Sequence, residues 1–441
     1  MVENKVSGYL PDERPTTGRL ILFAIQQIIV MFPATVMVAL LTGFHVSTTI
    51  FASGFATLCF LFITKGKIPL YYGSSFSYIT AIVGITGGAV GGAPAPDALI
   101  SQAQFGIIAS GFVSIVAGLV VNKFGQEKIE KFLPATVTGS IAIIIGLSLA
   151  GSAMTGAIGY DALTNTMDMN SLIVGLITMT ATILFSVYLK EGILGQLPIL
   201  LGILVGYVVS LALGMVDFSS VLANGVVAVP HFTLPTPNVE AVWAIMPIAI
   251  ATIPESTAHL FQLDIYVNNL GKKKGTKKQY NISDKLGSNL IGDGVGDIVS
   301  AAFGGPAGTN YGENISTMAI TNNFSVYVLG AAAVITMIIS FISPLSAIVT
   351  SVPSAVINGA GVYLFGVIGA QGIAILINKE VDLFDAKNLA IIAIILIIGL
   401  GGNFAFPGGM IPVGTLQLPA IATASVMGIL FNIILNLKKN S

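Results

Sequence analysis

Residues 388–400 read NLAIIAIILIIGL, and residues 140–150 read SIAIIIGLSLA. Neither stretch alternates between polar and apolar residues, so each predicts a helix rather than a strand of a membrane barrel. The chain has 441 residues, of which 54% are hydrophobic and 9% are charged, and its mean hydropathy is +0.90. A soluble domain carries about 25% charged residues. The composition therefore excludes a soluble enzyme, a nucleic-acid-binding protein and a disordered chain, and it predicts an all-α polytopic membrane protein.

The length and the apolar runs predict fourteen membrane segments. A spanning helix needs roughly 20 apolar residues, which leaves room for about 14 spans with their loops. We place them at about 18–42, 47–64, 69–88, 102–122, 133–153, 171–189, 196–216, 240–263, 283–303, 306–321, 323–347, 353–377, 388–403 and 411–436. The single cysteine, Cys59, argues against disulfides and cysteine-based metal sites. Because the N-terminus is polar, we expect no cleaved signal peptide. We expect neither a metal nor a cofactor.

The basic residues support this count. With fourteen segments, all 19 Lys and Arg residues fall on one side, before segment 1 or after segments 2, 4, 6, 8, 12 and 14. The loops of the other side carry Asp97, Asp161, Asp168 and Asp217 instead. The positive-inside rule then predicts that both termini are cytoplasmic. The Lys-rich run at residues 272–278 is expected to be a solvated cytoplasmic loop.

The two halves of the chain repeat weakly. Residues 72–77 (YGSSFS) resemble residues 311–316 (YGENIS), and residues 32–35 (FPAT) resemble residues 253–256 (IPES). These matches pair segment n with segment n+7, which predicts the inverted repeat found in many secondary transporters. Segments 3 and 10 open with polar or Gly-bearing stretches before turning apolar. Because extended backbone at membrane depth must find hydrogen bonds, we predict that these stretches form two short antiparallel strands, each followed by a half-helix.

Few ionisable side chains fall within the predicted segments, and each is costly to place in a membrane. Glu255 and His259 lie four residues apart on one face of segment 8, where a carboxylate and an imidazole can share a proton. Pro254 can loosen the helix there. Glu313 lies at the start of a half-helix, whose dipole favours its ionised form. The alternative interpretations are a helix-stabilising pair and an ordinary N-terminal cap.

Asp293 and Asp297 of segment 9 are one helical turn apart, so their charges repel. They either assist proton movement or bond backbone and hydroxyl groups between helices, and we favour the structural role. Phe76 lies just past Gly73, where the helix of segment 3 is predicted to be interrupted. Its ring either stacks on a flat ligand or packs in the core.

Four stretches resemble the nucleobase–ascorbate transporter family, also called the nucleobase:cation symporters, and within it the bacterial uracil permeases. They are QQIIVMFPATVMV (26–38), GSSFSYI (73–79), ESTAH (255–259) and TNYGENISTMAIT (309–321). The resemblance covers essentially the whole chain. Xanthine and urate members usually carry Gln or Asn at the position of Glu313, so this residue favours uracil. Ser316 and Asn322 depart from the usual family signature.

The resemblance implies a core domain and a gate domain that are both discontinuous in sequence. The core comprises segments 1–4 (18–122) and 8–11 (240–347), and the gate comprises segments 5–7 (133–216) and 12–14 (353–436). A cytoplasmic tail (1–17) and an extracellular linker between the repeats (217–239) complete the chain. The family also implies proton-coupled uptake and a homodimer built through gate domains.

The resemblance further implies a set of residues that hold the base. Glu255 and Glu313 would bind it, backbone N–H groups of Phe76 and Gly312 would meet its carbonyl oxygens, and His259 would support Glu255 and the proton pathway. Ala34, Tyr311 and Phe365 would line the site. Ser75, Asn314, Asp293 and Asp297 are secondary candidates.

The residues favour the same function without the resemblance. Two carboxylates can accept from the N–H groups of uracil, and half-helix amides can donate to its carbonyls. We expect a uracil:H+ symporter of the cytoplasmic (inner) membrane that works by alternating access, with no nucleic-acid partner and no enzymatic activity. The alternatives are a symporter of xanthine or another purine base, an inorganic-anion transporter of related seven-plus-seven design, and, more remotely, an intramembrane aspartyl protease or a channel.

Overall fold

The computed structural model of the protein describes residues 8–89, 93–125, 133–161, 164–189, 192, 194–218, 225–414 and 416–437. The predictions for Lys5, Lys128, Lys131, Lys190, Lys438 and Lys439 lie outside these residues, as do parts of the predicted tail (1–17) and linker (217–239).

The described part of the first half of the chain consists of apolar helices interrupted by three short strands. Its elements are α1 (Thr17–Thr42), α2 (Val46–Ile63), β1 (Tyr72–Ser74), a 3-10 turn (Phe76–Tyr78), α3 (Ile79–Thr86), α4 (Asp97–Phe124), α5 (Ala135–Ser148), α6 (Ala150–Ala157), β2 (Tyr160–Asp161), β3 (Thr166–Met167), α7 (Met169–Tyr188) and α8 (Pro198–Ala212).

The second half has a similar succession of elements. They are α9 (Val239–Ile245), α10 (Ile248–Lys273), α11 (Leu286–Ala302), β4 (Gly308–Asn310), α12 (Gly312–Thr321), α13 (Val326–Ile339), α14 (Ser343–Thr350), α15 (Ser354–Asn378), α16 (Ala386–Leu396), a π-helical turn (Ile397–Gly401), β5 (Met410–Val413), β6 (Leu416–Pro419) and α17 (Ala420–Leu437). Among the described residues, eight helices or helix pairs are long and apolar enough to cross a membrane, and four shorter helices are strongly apolar. This is a multi-pass membrane protein, and the count of fourteen segments stays a prediction.

The helices pack in two groups. In the first group, α4 and α2 pack on α11, and α13 packs on α2 and α1. In the second group, α15 packs on α5, α6 and α7, and α16 packs on α5 and α17. One contact between the groups is made by α1, since Met37 and Val38 share a hydrophobic cluster with Ile357 and Leu364 of α15.

Glycine allows the principal helices of each group to approach closely. A Cβ added at Gly111 of α4 would meet the carbonyl oxygen of Gly294 in α11 at 2.5 Å, and one at Gly146 of α5 would meet the carbonyl oxygen of Phe365 in α15 at the same distance. In a membrane, helices associate through close packing rather than through the hydrophobic effect, and small residues at the contact permit it.

Strands β1 and β4 pair antiparallel, one from each half of the chain. Tyr72 is opposite Asn310, Gly73 opposite Thr309 and Ser74 opposite Gly308, and all six residues are buried. Each strand runs directly into a short helix, α3 through the 3-10 turn and α12 after Tyr311. The two half-helices therefore start from one buried strand pair.

The structure differs from the sequence predictions in several elements. Two further hairpins, β2–β3 and β5–β6, were not predicted, and β5–β6 occupies the predicted start of segment 14 at residue 411. Predicted segment 11 (323–347) forms two helices, α13 and α14. The helical conformation is interrupted at residues 340–342, and Pro344 lies in the first turn of α14. Predicted segment 8 ends at residue 263, but α10 continues to Lys273 and runs through Pro254 without interruption.

The N-terminal residues 8–14 pack on the ends of α10 and α12. Tyr9 forms a parallel bridge with Asn323, and Lys274 and Lys278 pair with Glu13 and Asp12 at 2.5 and 2.6 Å. Hydrogen bonds from the Lys278 ammonium and the Tyr280 hydroxyl lower the pKa of the Asp12 carboxyl group. The Lys-rich run was predicted to be a solvated loop, and the structure differs. Its first residues end α10, and two of its lysines form ion pairs with the N-terminal segment.

At the far end of α1, residues 225–238 cross the molecule as a strap between α8 and α9. The strap amide of Ala228 donates to the carbonyl oxygen of Phe341, and the Gln104 side chain donates to the carbonyl oxygen of Thr233. Thr236 donates its N–H to the carbonyl oxygen of Ser101. The strap is therefore fixed to α4 and to the end of α13.

Gly73 is expected to be essential for the strand pair. A Cβ at this position would enter the Tyr311 ring and lie 2.7 Å from its hydroxyl oxygen. We expect Gly73→Ala to lower the free energy of unfolding by about 1–3 kcal/mol, as overpacking does. The measurement is thermal unfolding of the purified protein. Gly330→Ala is the control, because nothing lies within 4 Å of its added Cβ in α13; equal destabilisation of both variants would contradict the interpretation.

Candidate functional site

Asp297 of α11 holds both buried strands. Its Oδ1 accepts hydrogen bonds from the Tyr72 hydroxyl of β1 at 2.5 Å and from the Gly308 N–H of β4 at 2.8 Å. Asp297 is 2% exposed, so these bonds offset part of the cost of burying the carboxyl group. The contacts match the structural interpretation of this residue rather than a role in moving protons.

Asp293, one turn earlier on α11, lies in a second buried network. It accepts hydrogen bonds from Ser256 of α10 and, at 2.8 Å, from the Nδ2 of Asn310 at the end of β4. Asn289 donates to Ser256 at 2.9 Å. The network joins α10 to α11 and β4. It includes Ser256, the residue that follows Glu255 in the sequence.

Tyr311 closes the strand pair from the opposite side. Its hydroxyl donates to the carbonyl oxygen of Ser74 at 3.0 Å and lies 3.0 Å from the Thr35 hydroxyl of α1. The side chain is 3% exposed, and its ring packs over Gly73. Tyr311 therefore packs against strand β1 and connects it to α1.

Glu255 and His259 of α10 lie beside the two half-helices and remain partly exposed. The Ser77 hydroxyl, in the 3-10 turn before α3, donates to Oε2 of Glu255 at 3.5 Å. The Nε2 of His259 would be 2.8 Å from a Cβ at Gly312, so the imidazole lies against the first turn of α12. Its Nδ1 has no hydrogen-bond partner among the described residues. One face of α10 thus presents a carboxyl group and an imidazole to the N-terminal ends of α3 and α12.

Glu313 is the second residue of α12 and is also partly exposed. Its helix packs against α10, which carries Glu255. The first N–H groups of a helix have no partner within it, and here these are the amides of Phe76, which begins the 3-10 turn before α3, and of Gly312, which begins α12. Two acids and two helix N-termini converge where the halves of the chain meet.

The secondary candidates Ser75 and Asn314 make structural contacts. The Ser75 N–H donates to the carbonyl oxygen of Ala307, and its hydroxyl accepts from the Ser77 N–H at 3.3 Å, which caps the 3-10 turn. Asn314 donates to the side-chain oxygen of Gln27 at 2.7 Å and to its carbonyl oxygen at 3.0 Å. These bonds fix the start of each half-helix.

The aromatic part of the site comes from both helix groups. Phe76 precedes α3 and meets Phe365 of α15 edge to face, with ring centroids 6.5 Å apart. Phe365 is 2% exposed, whereas Phe76 is partly exposed. Ala34 of α1 is buried in the cluster that contains Tyr311 and Ile253. Phe76 is thus one of the contacts between the half-helix and the second group.

Sequence reasoning missed several polar residues at this site. Ser77 contacts Glu255, Gln27 holds Asn314, and Ser256 and Asn289 complete the network of Asp293. The available signal was polarity within apolar segments, since an uncharged polar side chain in a membrane also needs a partner.

Comparison with known proteins identifies relatives along nearly the whole chain. A family model described as the Permease family matches residues 18–408. The uracil permease of Bacillus caldolyticus is 37% identical over 432 residues, which are 96% of this chain and 94% of the relative. The uracil permease of Escherichia coli (strain K12) is 34% identical over 428 residues, 97% of this chain and 93% of the relative.

Solved structures with the same fold are more distant in sequence. The transmembrane domain of a cyanobacterial bicarbonate transporter, BicA, aligns with a TM-score of 0.58 at 12% identity, over 95% of this chain and 97% of that one. The murine anion transporter Slc26a9, in its inward-facing state, aligns with a TM-score of 0.67 at 12% identity, over 97% of this chain and 69% of that one. At this identity the likeness concerns the fold.

The described residues form two packed helix groups with converging half-helices, in a fold that resembles that of the solved neighbours. The chain belongs to the Permease family, whose members are transporters and not enzymes. The resemblance stated from the sequence motifs is confirmed.

Variants of Asp297 can separate a structural role from a role in carrying protons. Both of its hydrogen bonds are accepted by Oδ1, which the amide oxygen of Asn can replace. We expect Asp297→Asn to fold and to keep the pH dependence of uptake. Asp297→Ala leaves two buried donors unpaired, at about 1–3 kcal/mol each. Thermal unfolding and uptake at several pH values measure the two effects, and loss of pH dependence in a well-folded Asp297→Asn variant would instead assign proton transfer to this residue.

Proposed function

We propose that this permease takes up a nucleobase with a proton across the cytoplasmic membrane, and that uracil is its substrate. The observation that supports this most is the convergence of Glu255, His259 and Glu313 on the N-terminal turns of α3 and α12. The names of the relatives point the same way, since several are called uracil permeases.

The chemistry of uracil fits this arrangement. The base is flat and neutral, with two N–H donors and two carbonyl acceptors. Glu255 and Glu313 would accept from the N–H groups, and the free amides at Phe76 and Gly312 would donate to the carbonyl oxygens. Phe76 would supply an aromatic surface for the ring face, with Phe365 behind it. Ala34 and Tyr311 would shape the wall beneath.

Proton coupling follows from the cost of two nearby carboxylates. Placing charged groups within a membrane protein is costly unless one of them is protonated or paired. A proton that enters with the base and resides on the Glu255–His259 pair would remove one charge from the loaded site. The loaded carrier could then reorient at lower cost than the carrier with two ionised acids.

The two helix groups are the natural units of alternating access. We propose that the first group, within 18–122 and 240–347, is the core that carries the base, and that the second, within 133–216 and 353–436, is the gate. The positive-inside rule supports a cytoplasmic position for both termini and an outside position for the strap. We also propose a homodimer through the gate domains.

Two other substrates remain as alternatives with different chemistry. A symporter of xanthine or another purine base would use the same pocket with a larger ligand. An inorganic-anion transporter is compatible with the fold of the solved neighbours. An anion would meet Glu255 and Glu313 at the helix ends, and this like-charge contact argues against it.

Ligand binding tests the substrate. We expect uracil to raise the melting temperature of the purified protein more than thymine, xanthine, guanine or bicarbonate does, because a ligand stabilises the state that binds it. Greater stabilisation by xanthine or guanine would overturn the assignment to uracil. Stabilisation by bicarbonate without any nucleobase effect would overturn the function.

A matched pair of variants locates this binding. Glu313→Gln replaces one N–H acceptor by an amide and should weaken uracil binding at least about tenfold, since hydrogen bonds to charged groups contribute roughly 1.5–3 kcal/mol. Glu240→Gln is the control, because Glu240 is exposed in the first turn of α9. Equal affinity in both variants would remove Glu313 from the site.

The pH dependence of uptake tests the coupling residues. If the Glu255–His259 pair takes up the transported proton, uptake should rise as the outside pH falls, since protonation accompanies binding. Glu255→Gln removes the titrating carboxyl group, and we expect its remaining uptake to be nearly independent of pH. His259→Ala should shift the profile by changing the surroundings of Glu255. The measurement is radiolabelled uracil uptake into proteoliposomes at fixed membrane potential, and an unchanged profile in both variants would reject the assignment.

A further inference from the structure

Three side chains converge at the end of the molecule that carries the strap, and none of them belongs to the proposed transport site. Asp97 is the first residue of α4, His45 precedes α2, and His231 lies in the strap. The Nε2 of His45 is 3.0 Å from one Asp97 oxygen, and the Nε2 of His231 is 2.7 Å from the other. Two of the three histidines of the chain thus meet at one carboxylate.

The geometry of this cluster suits a transition-metal ion. One ligand atom from each residue can be chosen so that all three lie within 4.8 Å of one another. Ligand atoms around a tetrahedral zinc ion are roughly 3.3 Å apart, since the bonds are about 2.0–2.2 Å long. Small side-chain rotations would therefore admit the ion between the three groups. Imidazole and carboxylate are donors that zinc binds readily.

The backbone around the cluster is already fixed. The Thr48 hydroxyl donates to the carbonyl oxygen of His231 at 2.7 Å, and the Thr49 N–H donates to that of His45 at 2.9 Å. The Ala95 N–H donates to the carbonyl oxygen of Gly43, which joins the segments before α2 and α4. The three ligands are therefore held by separate segments whose relative positions are set before any ion binds, and this lowers the cost of binding.

The cluster is also open to a metal from the solvent. The side chains of Asp97 and His231 are 53% and 55% exposed, and that of His45 is 20% exposed. Three protein ligands leave a fourth position for water on the exposed side. A pair of hydrogen bonds from neutral histidines to Asp97 is the simpler interpretation, and it requires no metal.

We propose that His45, Asp97 and His231 form a binding site for a divalent transition-metal ion of the zinc class on the face of the strap. The bound ion would join the strap to the ends of α2 and α4 and stabilise the folded protein. No metal was predicted from the sequence, where the three residues lie far apart and follow no ligand-spacing motif. The proposal is independent of the transported substrate.

The test is metal binding by the full-length protein, purified with a tag that lacks histidine and stripped with a chelator. We expect one equivalent of Zn²⁺ to bind and to raise the melting temperature, because the ion binds the folded state. Co²⁺ should bind the same site, and its absorption spectrum should report nitrogen and oxygen ligands. Absence of any binding up to about 100 μM Zn²⁺, a free energy of only about −5.5 kcal/mol, would overturn the proposal.

Single variants locate the ion. His45→Ala, His231→Ala and Asp97→Asn should each weaken Zn²⁺ binding at least about tenfold, or 1.4 kcal/mol, by removing one ligand. Asp97→Asn keeps the shape of the residue but replaces one of its two accepting oxygens with an NH2 group. If the three side chains only form hydrogen bonds, none of these variants should change Zn²⁺ binding. Gel filtration confirms that each variant is folded.

Two further variants complete the test. Asp168→Asn is the control, because Asp168 is an exposed acid that caps α7 away from the cluster. It should bind Zn²⁺ like the natural chain. His259→Gln should also keep metal binding, and if zinc is lost there while His45→Ala retains it, the ion belongs to the transport site and the proposal fails.

Discussion

Backbone that leaves the helix inside a membrane must find all its hydrogen-bond partners within the protein, and the pair β1–β4 is where this chain meets that constraint. The strands bond each other, and Asp297 accepts from the Gly308 amide as well as from the Tyr72 hydroxyl. Because α3 and α12 begin where these strands end, the position of both half-helices depends on the pair. The candidate site lies at those two helix starts.

The same region shows why buried acids in one protein need not share a role. Asp297 accepts short hydrogen bonds from groups of both strands, and Asp293 is enclosed by Ser256 and Asn310. Glu255, by contrast, is partly exposed and has one long hydrogen bond, from Ser77. A fully bonded carboxylate is held by its partners, whereas a poorly bonded one can exchange a partner for a ligand or a proton. This difference in hydrogen bonding, rather than the location in the membrane, distinguishes Glu255 of the proposed site from Asp293 and Asp297, which hold the surrounding structure.

Hydropathy predicted the helices well where an apolar run is continuous, as in α1 and α15. It failed where the backbone turns inside an apolar run. The hairpin β5–β6 was predicted as part of a helix, since its residues are mostly apolar and its turn is short. The break before α14 was missed for the same reason. Hydropathy reports transfer into the membrane and is insensitive to how the backbone is bonded there.

The sequence by itself determined that the chain spans a membrane, that extended stretches interrupt two of its segments and that few ionisable groups enter it. Each follows from local chemistry, because desolvation acts on each side chain separately. The tertiary structure decided which groups meet: Ser77 with Glu255, the strands with Asp297, and His45 and His231 with Asp97. These contacts join residues far apart along the chain, and no local pattern records the distance between them, because it depends on how whole helices pack.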